Sequence, residues 1–237
     1  MKQRDYSRAK RGSFVGFAPF SGKSAEEQFA EVSPEQTLRT TRDTLSTLPH
    51  SQIEIEQINT LYSGDIWLGE TGTIDRFIVQ ADQYRIVHLS THAKANQRSG
   101  NFAFLSFQKA SGKRNFVKLY ARDLYNLKIP ADLIVLSACE TGLGRLRRGE
   151  GVISLARAFT FAGAKSIVNT LWSVDDASTA TLMFDFYTEL KKGLHKDQAL
   201  RNAKLKYLKD TNTPLEKLDP FFWAAPIIIG DTAVLNY

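Results

Sequence analysis

The residues best suited to chemistry in this chain are one cysteine and one histidine, each at the end of a predicted buried strand. Cys139 is the single cysteine of the 237 residues and follows the apolar run 132–138. His92 ends a similar run that begins at Arg85. Parallel strands bring their carboxyl ends to one edge of a sheet, where ligands gather. A thiol and an imidazole at that edge are what a cysteine nucleophile and its base require.

Both residues also have a structural interpretation, because a free cysteine is often buried and inert and a single histidine is often a surface residue. His88 lies four residues before His92, so the two histidines and Cys139 could suggest zinc. Residues four apart on a strand lie about 13 Å apart, whereas zinc ligands lie within about 2.0–2.3 Å of the ion. We therefore predict no metal site. His88 is interpreted as packed inside its strand, and His50 and His195 as surface residues.

Two further segments resemble known motifs only in part. The glycine-rich segment 142–151 lies between a strand and a helix, but it fails the Gly-x-Gly-x-x-Gly pattern at Arg147 and has no acidic residue at the required distance. Ser137 lacks both glycines of the Gly-x-Ser-x-Gly nucleophile elbow. The sequence therefore predicts no nucleotide cofactor and no serine hydrolase, and the segment is interpreted as a loop bordering the site.

Composition is typical of a soluble globular protein, with 43% hydrophobic and 24% charged residues. No apolar run approaches the roughly 20 residues that a membrane helix needs, and no signal peptide opens the chain. One cysteine cannot form an internal disulfide, which favours a cytoplasmic location. The net charge of +6 is divided among the first residues, the loop arginines and the segment 191–209. Nucleic-acid binding is kept as a third hypothesis, and it is not favoured because no binding module accompanies the charge.

Strands and helices alternate along the sequence, which predicts an α/β fold with a mostly parallel sheet and helices on both faces. Residues 1–12 are predicted to form a basic flexible arm, and residues 13–237 a single domain. Residues 53–62 are predicted to hold a strand and a short turn. The other predicted elements are strands at 13–20, 85–92, 132–138, 166–172 and 225–229, a hairpin over 102–107 and 115–120, and helices at 35–48, 73–82, 149–163, 176–192 and 196–209.

Two segments resemble motifs of a known family. Residues 87–93, Val-His-Leu-Ser-Thr-His-Ala, are similar to the histidine motif of the CHAT family, the caspase-like domains associated with tetratricopeptide repeats. Residues 135–142, Val-Leu-Ser-Ala-Cys-Glu-Thr-Gly, are similar to its cysteine motif. The resemblance covers nearly all of the chain, and it continues through 149–152, 155–159, 162–164, 171–176 and 222–225.

This resemblance implies a caspase-like three-layer sandwich and cysteine endopeptidase activity on a protein substrate, without a cofactor or metal. Carried over, His92 is the catalytic histidine and Cys139 the nucleophile, and the backbone N–H groups of Ala93 and Cys139 hold the oxyanion. Related proteases often have glycine after the histidine, so Ala93 fits only if it avoids a positive φ. Asp175 and Asp176 are predicted to form a substrate pocket for arginine or lysine, with helix capping as the alternative.

Domains of this family usually carry further strands, and commonly helical repeats, before the segment that matches residues 14–20. The chain is therefore predicted to be a fragment or a shortened domain whose open sheet edge binds a partner. Regulation by a tetratricopeptide-repeat protein, another partner or upstream domains follows from the same resemblance. The alternative is a non-catalytic interaction or signalling module that keeps the fold and the dyad.

Overall fold

The structure is a computed structural model that describes residues 12–22, 45, 47–94, 100–109, 116–137, 150–172 and 175–235. Several predictions lie outside these residues: the basic arm up to residue 11, most of the helix predicted at 35–48, and Cys139 with the glycine-rich loop up to Gly149. The side chains of residues 150–154 are also outside the description.

The described strands form a central six-stranded sheet in the order β2-β1-β3-β7-β8-β9. All neighbouring pairs are parallel except β8 and β9, which are antiparallel. The predicted mostly parallel sheet is therefore confirmed. The strands are β1 (Gly12–Ala18), β2 (Asp65–Leu68), β3 (Tyr84–Leu89), β7 (Leu133–Leu136), β8 (Ser166–Thr170) and β9 (Pro226–Gly230).

A second, antiparallel sheet has three strands in the order β4-β5-β6. They are β4 (Ala93–Lys94), β5 (Phe104–Gln108) and β6 (Phe116–Tyr120). The predicted hairpin corresponds to β5 and β6, which pair from Phe104 opposite Tyr120 to Gln108 opposite Phe116. Because β4 begins one residue after His92, this small sheet holds the chain that leaves β3.

Helices cover both faces of the central sheet. They are α1 (Pro49–Tyr62), α2 (Ile74–Gln80), α3 (Ala121–Leu124), α4 (Glu150–Ala162), α5 (Asp176–Lys191), α6 (Lys196–Lys209) and α7 (Pro220–Trp223). Local sequence explains several of their ends. Thr73 accepts a hydrogen bond from the Arg76 N–H at the start of α2. Gly163 follows α4 with a φ of +113°, a conformation that glycine adopts without steric cost.

Alternate residues of the strands supply two hydrophobic cores, one on each face. The first core packs Phe17, Leu89 and Leu136 against α2, α3 and α4. The second core packs Phe14 and Ile86, with their neighbours on β7 and β8, against α1, α5 and α6. This alternation follows from the period of two in a strand and gives the three-layer sandwich expected from the sequence.

The prediction of a strand and a turn in residues 53–62 is wrong, because the whole segment belongs to α1. Ile53, Glu54, Ile55 and Glu56 alternate in polarity like a half-buried strand. The buried positions in the structure are nevertheless spaced for a helix, at Ser51, Glu54, Ile55, Ile58 and Tyr62. Pro49 occupies the first turn, where its missing N–H is not needed. The strand β2 after this helix was not predicted.

Candidate functional site

His92 lies just beyond the carboxyl end of β3, as predicted, and its side chain is only 2% exposed. The ring packs edge-on against Phe20, with 4.7 Å between the ring centroids. Phe20 follows β1, the neighbour of β3 in the sheet. An aromatic contact of this kind limits rotation of the imidazole, so the ring has a defined orientation.

The backbone around His92 is held by hydrogen bonds to two neighbouring strands, β1 and β5. The Ser90 N–H donates to the Phe17 carbonyl of β1 at 2.9 Å. The Thr91 hydroxyl donates to the Ser106 carbonyl of β5, and the Ser106 N–H donates to the His92 carbonyl at 2.8 Å. These bonds fix a segment that would otherwise be a free loop after the strand.

The strand that leads to Cys139 is the direct neighbour of β3. Leu89 lies opposite Leu136, and the Ser137 N–H donates to the Leu89 carbonyl at 2.9 Å. His92 is three residues beyond Leu89, and Cys139 is three residues beyond Leu136. Cys139 itself lies outside the described residues.

Ala93 avoids a positive φ, which is the condition under which alanine can stand where related proteases often have glycine. It lies in β4, and the non-glycine residue with a positive φ in the described ranges is Ser63. Ala93 stands opposite Leu105, next to the hydrogen-bonded pair of His92 and Ser106. Antiparallel pairs alternate between bonded and non-bonded positions, so the Ala93 N–H is directed away from β5. That direction leaves it suited to binding an oxyanion.

A buried polar cluster lies beneath this edge of the sheet, on the face covered by α1 and α5. Its centre is Glu54 of α1, which is fully buried. Oε2 of Glu54 accepts a hydrogen bond from the Ser90 hydroxyl at 2.9 Å, and Oε1 accepts one from the Ser137 hydroxyl. Nε2 of His88 lies 3.1 Å from Oε1 of Glu54, and Nδ1 lies 3.1 Å from the Tyr187 hydroxyl. His88 is thus packed within its strand, as predicted.

Glu54, Ser90 and Ser137 were not singled out from the sequence as a functional group. The reason is the incorrect strand prediction at Glu54, because a strand does not place Glu54 on the buried face of a helix. The only trace in the sequence is that each serine stands two residues before a predicted catalytic residue. Ser137 is not a nucleophile in an elbow turn; its hydroxyl is a hydrogen-bond donor to Glu54.

Asp175 and Asp176 lie at the start of α5, and both carboxylates have partners within the protein. Asp175 caps the helix, accepting from the Ser178 N–H at 3.0 Å, and it pairs with the Lys217 ammonium at 2.9 Å. Burial opposes ionisation of Asp175, but the bonds from Lys217 and Ser178 outweigh it and hold its pKa below the ordinary value. Asp176 accepts from the His50 N–H at 2.8 Å. Burial, together with the nearby Glu54, raises the pKa of Asp176.

Asn169 of β8 is a further polar residue near this edge that sequence reasoning missed. It lies opposite Leu136 of β7 and is fully buried. Within the described part of the chain, neither its amide nitrogen nor its amide oxygen has a hydrogen-bond partner. A buried amide without a hydrogen-bond partner costs about 1–3 kcal/mol of stability.

In the described ranges, no three histidine, cysteine, aspartate or glutamate side chains come together in a way that could bind a metal ion. None of the helices over the same ranges has the length and apolar character needed to cross a bilayer.

Comparison with solved structures shows which known fold this arrangement matches. The crystal structure of the Arg specific cysteine proteinase gingipain R (RGPB) aligns with a TM-score of 0.55 and 12% identity, over 96% of this chain and 48% of that one. A complex of the pro- and mature domains of RgpB from Porphyromonas gingivalis gives the same TM-score at 11% identity, over 96% and 49% of the two chains. The protein therefore has the caspase-like α/β fold of these proteinases.

Sequence comparison identifies relatives and the family. Tetratricopeptide repeat protein 28 of Homo sapiens, and its counterpart in Mus musculus, are 32% identical to this chain over 118 residues. The match covers 50% of this chain and 5% of each relative, so the chain spans a small part of their length. The model of the CHAT domain matches residues 6–231. The chain therefore belongs to the CHAT domain family.

Proposed function

We propose that this protein is a cysteine endopeptidase in which Cys139 is the nucleophile and His92 its acid–base partner. The observation that carries the proposal is the register of β3 and β7. The two parallel strands lie side by side with Leu89 opposite Leu136, and the histidine and the cysteine each follow three residues later. Because both residues lie the same number of positions beyond two paired strand residues, we expect the His92 imidazole and the Cys139 thiol to be close enough to exchange a proton.

The proposed reaction is amide hydrolysis in two stages. The Cys139 thiolate attacks the scissile carbonyl carbon, and His92 donates a proton to the departing amine. The resulting thioester is then cleaved by water, with His92 accepting the proton. The buried position of His92 and its contact with Phe20 support this role, because the ring is held in one orientation before substrate binds.

The oxyanion of the tetrahedral intermediate is proposed to bind the backbone N–H groups of Ala93 and Cys139. The direction of the Ala93 N–H, away from β5, supports its part. Each such donor contributes about 2.7–4 kcal/mol to transition-state stabilisation in enzymes of this kind.

Regulation by a protein partner, in a cytoplasmic setting, is part of the same proposal. The similarity to a protein named for its tetratricopeptide repeats supports a partner of that class, or repeats elsewhere in a longer chain. The partner would control access to the His92 edge of the sheet.

The first test is alkylation of Cys139, which is specific because the chain has one cysteine. Iodoacetamide should label the native protein rapidly at neutral pH, and His92→Ala should slow labelling about 10²-fold or more, as loss of a positioned base implies. His195→Ala is the matched control, because His195 is an exposed histidine before α6. Equal labelling rates in the wild type and His92→Ala would contradict the dyad.

The second test is cleavage of candidate protein substrates by the wild type and Cys139→Ala in parallel. Fragments should form with the wild type only. A thiol that labels slowly, in a protein that binds a partner without cleaving it, would establish the alternative of an interaction or signalling module.

A preference for arginine or lysine before the cleaved bond stays a separate proposal. One solved neighbour is named as Arg specific, but Asp175 is already paired with Lys217, so a substrate cation would have to displace that lysine. Peptide reporters ending in arginine and in aspartate decide the point. No advantage for arginine, or the same advantage in Asp175→Asn and Asp176→Asn, would remove both aspartates from the pocket.

A further inference from the structure

Glu54 stands out among the buried residues because its carboxylate joins three separate elements. It projects from α1, it accepts from Ser90 just after β3, and it accepts from Ser137 just after β7. The two hydroxyls use different oxygens of the same carboxylate. One side chain therefore links the carboxyl ends of two neighbouring strands to the helix that covers them.

The linked positions have a defined relation to the proposed dyad. Ser90 precedes His92 by two residues, and Ser137 precedes Cys139 by two residues. Both serines are buried, at 0% and 1% exposure. A shift of Glu54 would therefore move the starting points of both catalytic segments together.

We propose that Glu54 is a positioning residue for the active site, setting the distance between the segments that carry His92 and Cys139 through its bonds to Ser90 and Ser137. It acts through the hydroxyls of the two serines. The inference rests on the proposed His92 and Cys139 chemistry.

The chemistry of the side chain explains why a glutamate is needed here. A carboxylate has an acceptor at both oxygens, so Glu54 can accept hydrogen bonds from two hydroxyls at once and still face His88. A glutamine in place of Glu54 would offer one acceptor oxygen and an NH₂ donor. One of the two serine hydroxyls would then have to accept a hydrogen bond instead of donating one.

The burial of this cluster also argues for a role beyond holding the fold together. Glu54 and His88 are fully buried on the face of the sheet that carries the second core, which includes Phe14, Ile58 and Tyr187. Burying ionisable groups costs free energy, and apolar side chains of similar size often stabilise a fold as well or better. The cluster lies at the ends of the two strands that lead to the dyad, which is where it can hold the two catalytic segments in a defined geometry.

The experiment measures iodoacetamide labelling of Cys139 across pH in Glu54→Gln, Ser90→Ala and Ser137→Ala, alongside the unfolding midpoint of each variant. Glu56→Gln is the matched control, because Glu56 is an exposed glutamate on the same helix. A misplacement of about 1 Å can cost about 10²-fold in rate. We expect Glu54→Gln to slow labelling at neutral pH by at least about tenfold and to raise the pH midpoint of the labelling curve.

The direction of the change in labelling rate distinguishes a positioning role from a purely structural one. If Glu54 only stabilises the fold, the Glu54→Gln variant should open more often, and Cys139 should be labelled faster. Each serine variant should reproduce part of the slowing, so the inference does not depend on Glu54→Gln folding well. Adding Glu54→Gln to His92→Ala should cause no further slowing, because the residue acts through the dyad.

The outcomes distinguish this inference from the proposed function. If His92→Ala slows labelling but Glu54→Gln and both serine variants label like the wild type, the positioning role is refuted and the dyad stands. If His92→Ala labels at the wild-type rate, the dyad is refuted, and the positioning role is lost with it. Faster labelling in the Glu54 variant would show that the carboxylate only stabilises the fold.

Discussion

At the scale of single residues, His92 is defined by contacts from elements that lie far apart in the sequence. Phe20 holds the ring, Ser106 holds the backbone on one side, and the Ser90 hydroxyl is held by Glu54. The type and spacing of His92 could be read from the sequence, because a histidine at a strand end is a local pattern. Its environment could not, because the tertiary fold alone brings Phe20 against the ring and Glu54 against the Ser90 hydroxyl.

Asn169 allows a test of whether a buried polar group is retained at a cost to stability. Its side chain is buried opposite Leu136 with no partner in the described ranges. Asn169→Leu keeps the number and branching of the side-chain heavy atoms and removes the unsatisfied amide, so the free energy of unfolding should rise by about 1–3 kcal/mol. Urea titration measures this change, and peptide cleavage by the same variant shows whether activity falls as stability rises.

Asn169→Ala is the comparison, since it removes the amide but leaves a cavity and should not stabilise. A Leu variant less stable than the wild type would indicate that the amide has a partner in the native protein.

Asp175 provides a test of helix capping at the start of α5. Its carboxylate accepts from the N–H and the hydroxyl of Ser178 and pairs with Lys217. Asp175→Ala should lower the free energy of unfolding by about 1 kcal/mol, whereas Asp175→Asn keeps a capping oxygen and should lose less. Thermal unfolding of the two variants measures the difference.

Asp197→Ala serves as the control, because Asp197 is an exposed residue in the first turn of α6. If Asp175→Asn loses as much stability as Asp175→Ala, the ion pair with Lys217 matters more than the cap.

At the scale of elements, the long and strongly patterned segments were predictable. One short stretch of alternating apolar and polar residues led to a wrong strand prediction. The buried strands β3, β7 and β8 and the helices α5 and α6 follow continuous apolar runs or helical spacing that local reasoning detects. Residues 53–56 alternate in polarity as a strand would, yet Glu54 is buried and Ile53 is 48% exposed. The polarity of Ile53 and Glu54 is reversed relative to their burial, whereas Ile55 is buried and Glu56 is exposed as their polarity predicts, so the hydrophobic pattern led to the wrong assignment.

Asp132 joins the starts of three neighbouring strands and makes stability depend on pH. It precedes β7 and accepts from Arg85 of β3 and Lys165 before β8, each at 2.7 Å. Burial opposes ionisation of Asp132, but hydrogen bonds from Lys165 and Arg85 outweigh it, so its pKa lies below the ordinary value. Its contribution to stability is therefore present at neutral pH and is lost as the pH falls through that lowered pKa.

Asp132→Asn should lower the free energy of unfolding at neutral pH by about 1–2 kcal/mol, a modest value because Arg85 and Lys165 are partly solvated. The gap between the variant and the wild type should narrow near about pH 3, where the wild-type carboxyl is protonated in the unfolded state. Urea unfolding at both pH values tests this, with the exposed Asp82→Asn as the control. A gap that stays constant with pH would exclude the carboxylate as its source.

At the scale of the whole molecule, one sheet supports both cores and also carries the proposed dyad. The same strands β1, β3 and β7 alternate between Phe17, Leu89 and Leu136 on one face and Phe14 and Ile86 on the other. Loss of packing on either face therefore weakens the strands that position His92. The layered architecture was predictable from element order, but the assignment of each helix to a face required the structure.

This shared sheet predicts that the two cores unfold together. Phe77 of α2 and Phe186 of α5 are fully buried on opposite faces, so Phe77→Ala and Phe186→Ala should each lower the free energy of unfolding by about 3–5 kcal/mol. Phe161→Ala is the control, since that ring is 70% exposed and its removal should cost about 0.5 kcal/mol or less.

Trp67 packs on the first core and Trp223 on the second, so tryptophan fluorescence follows both faces while circular dichroism follows the backbone. Coincident transitions at a lower urea concentration in both variants are expected, because both cores are built on the strands of the same central sheet. Separate transitions would mean that one layer can unfold while the sheet and the other layer remain.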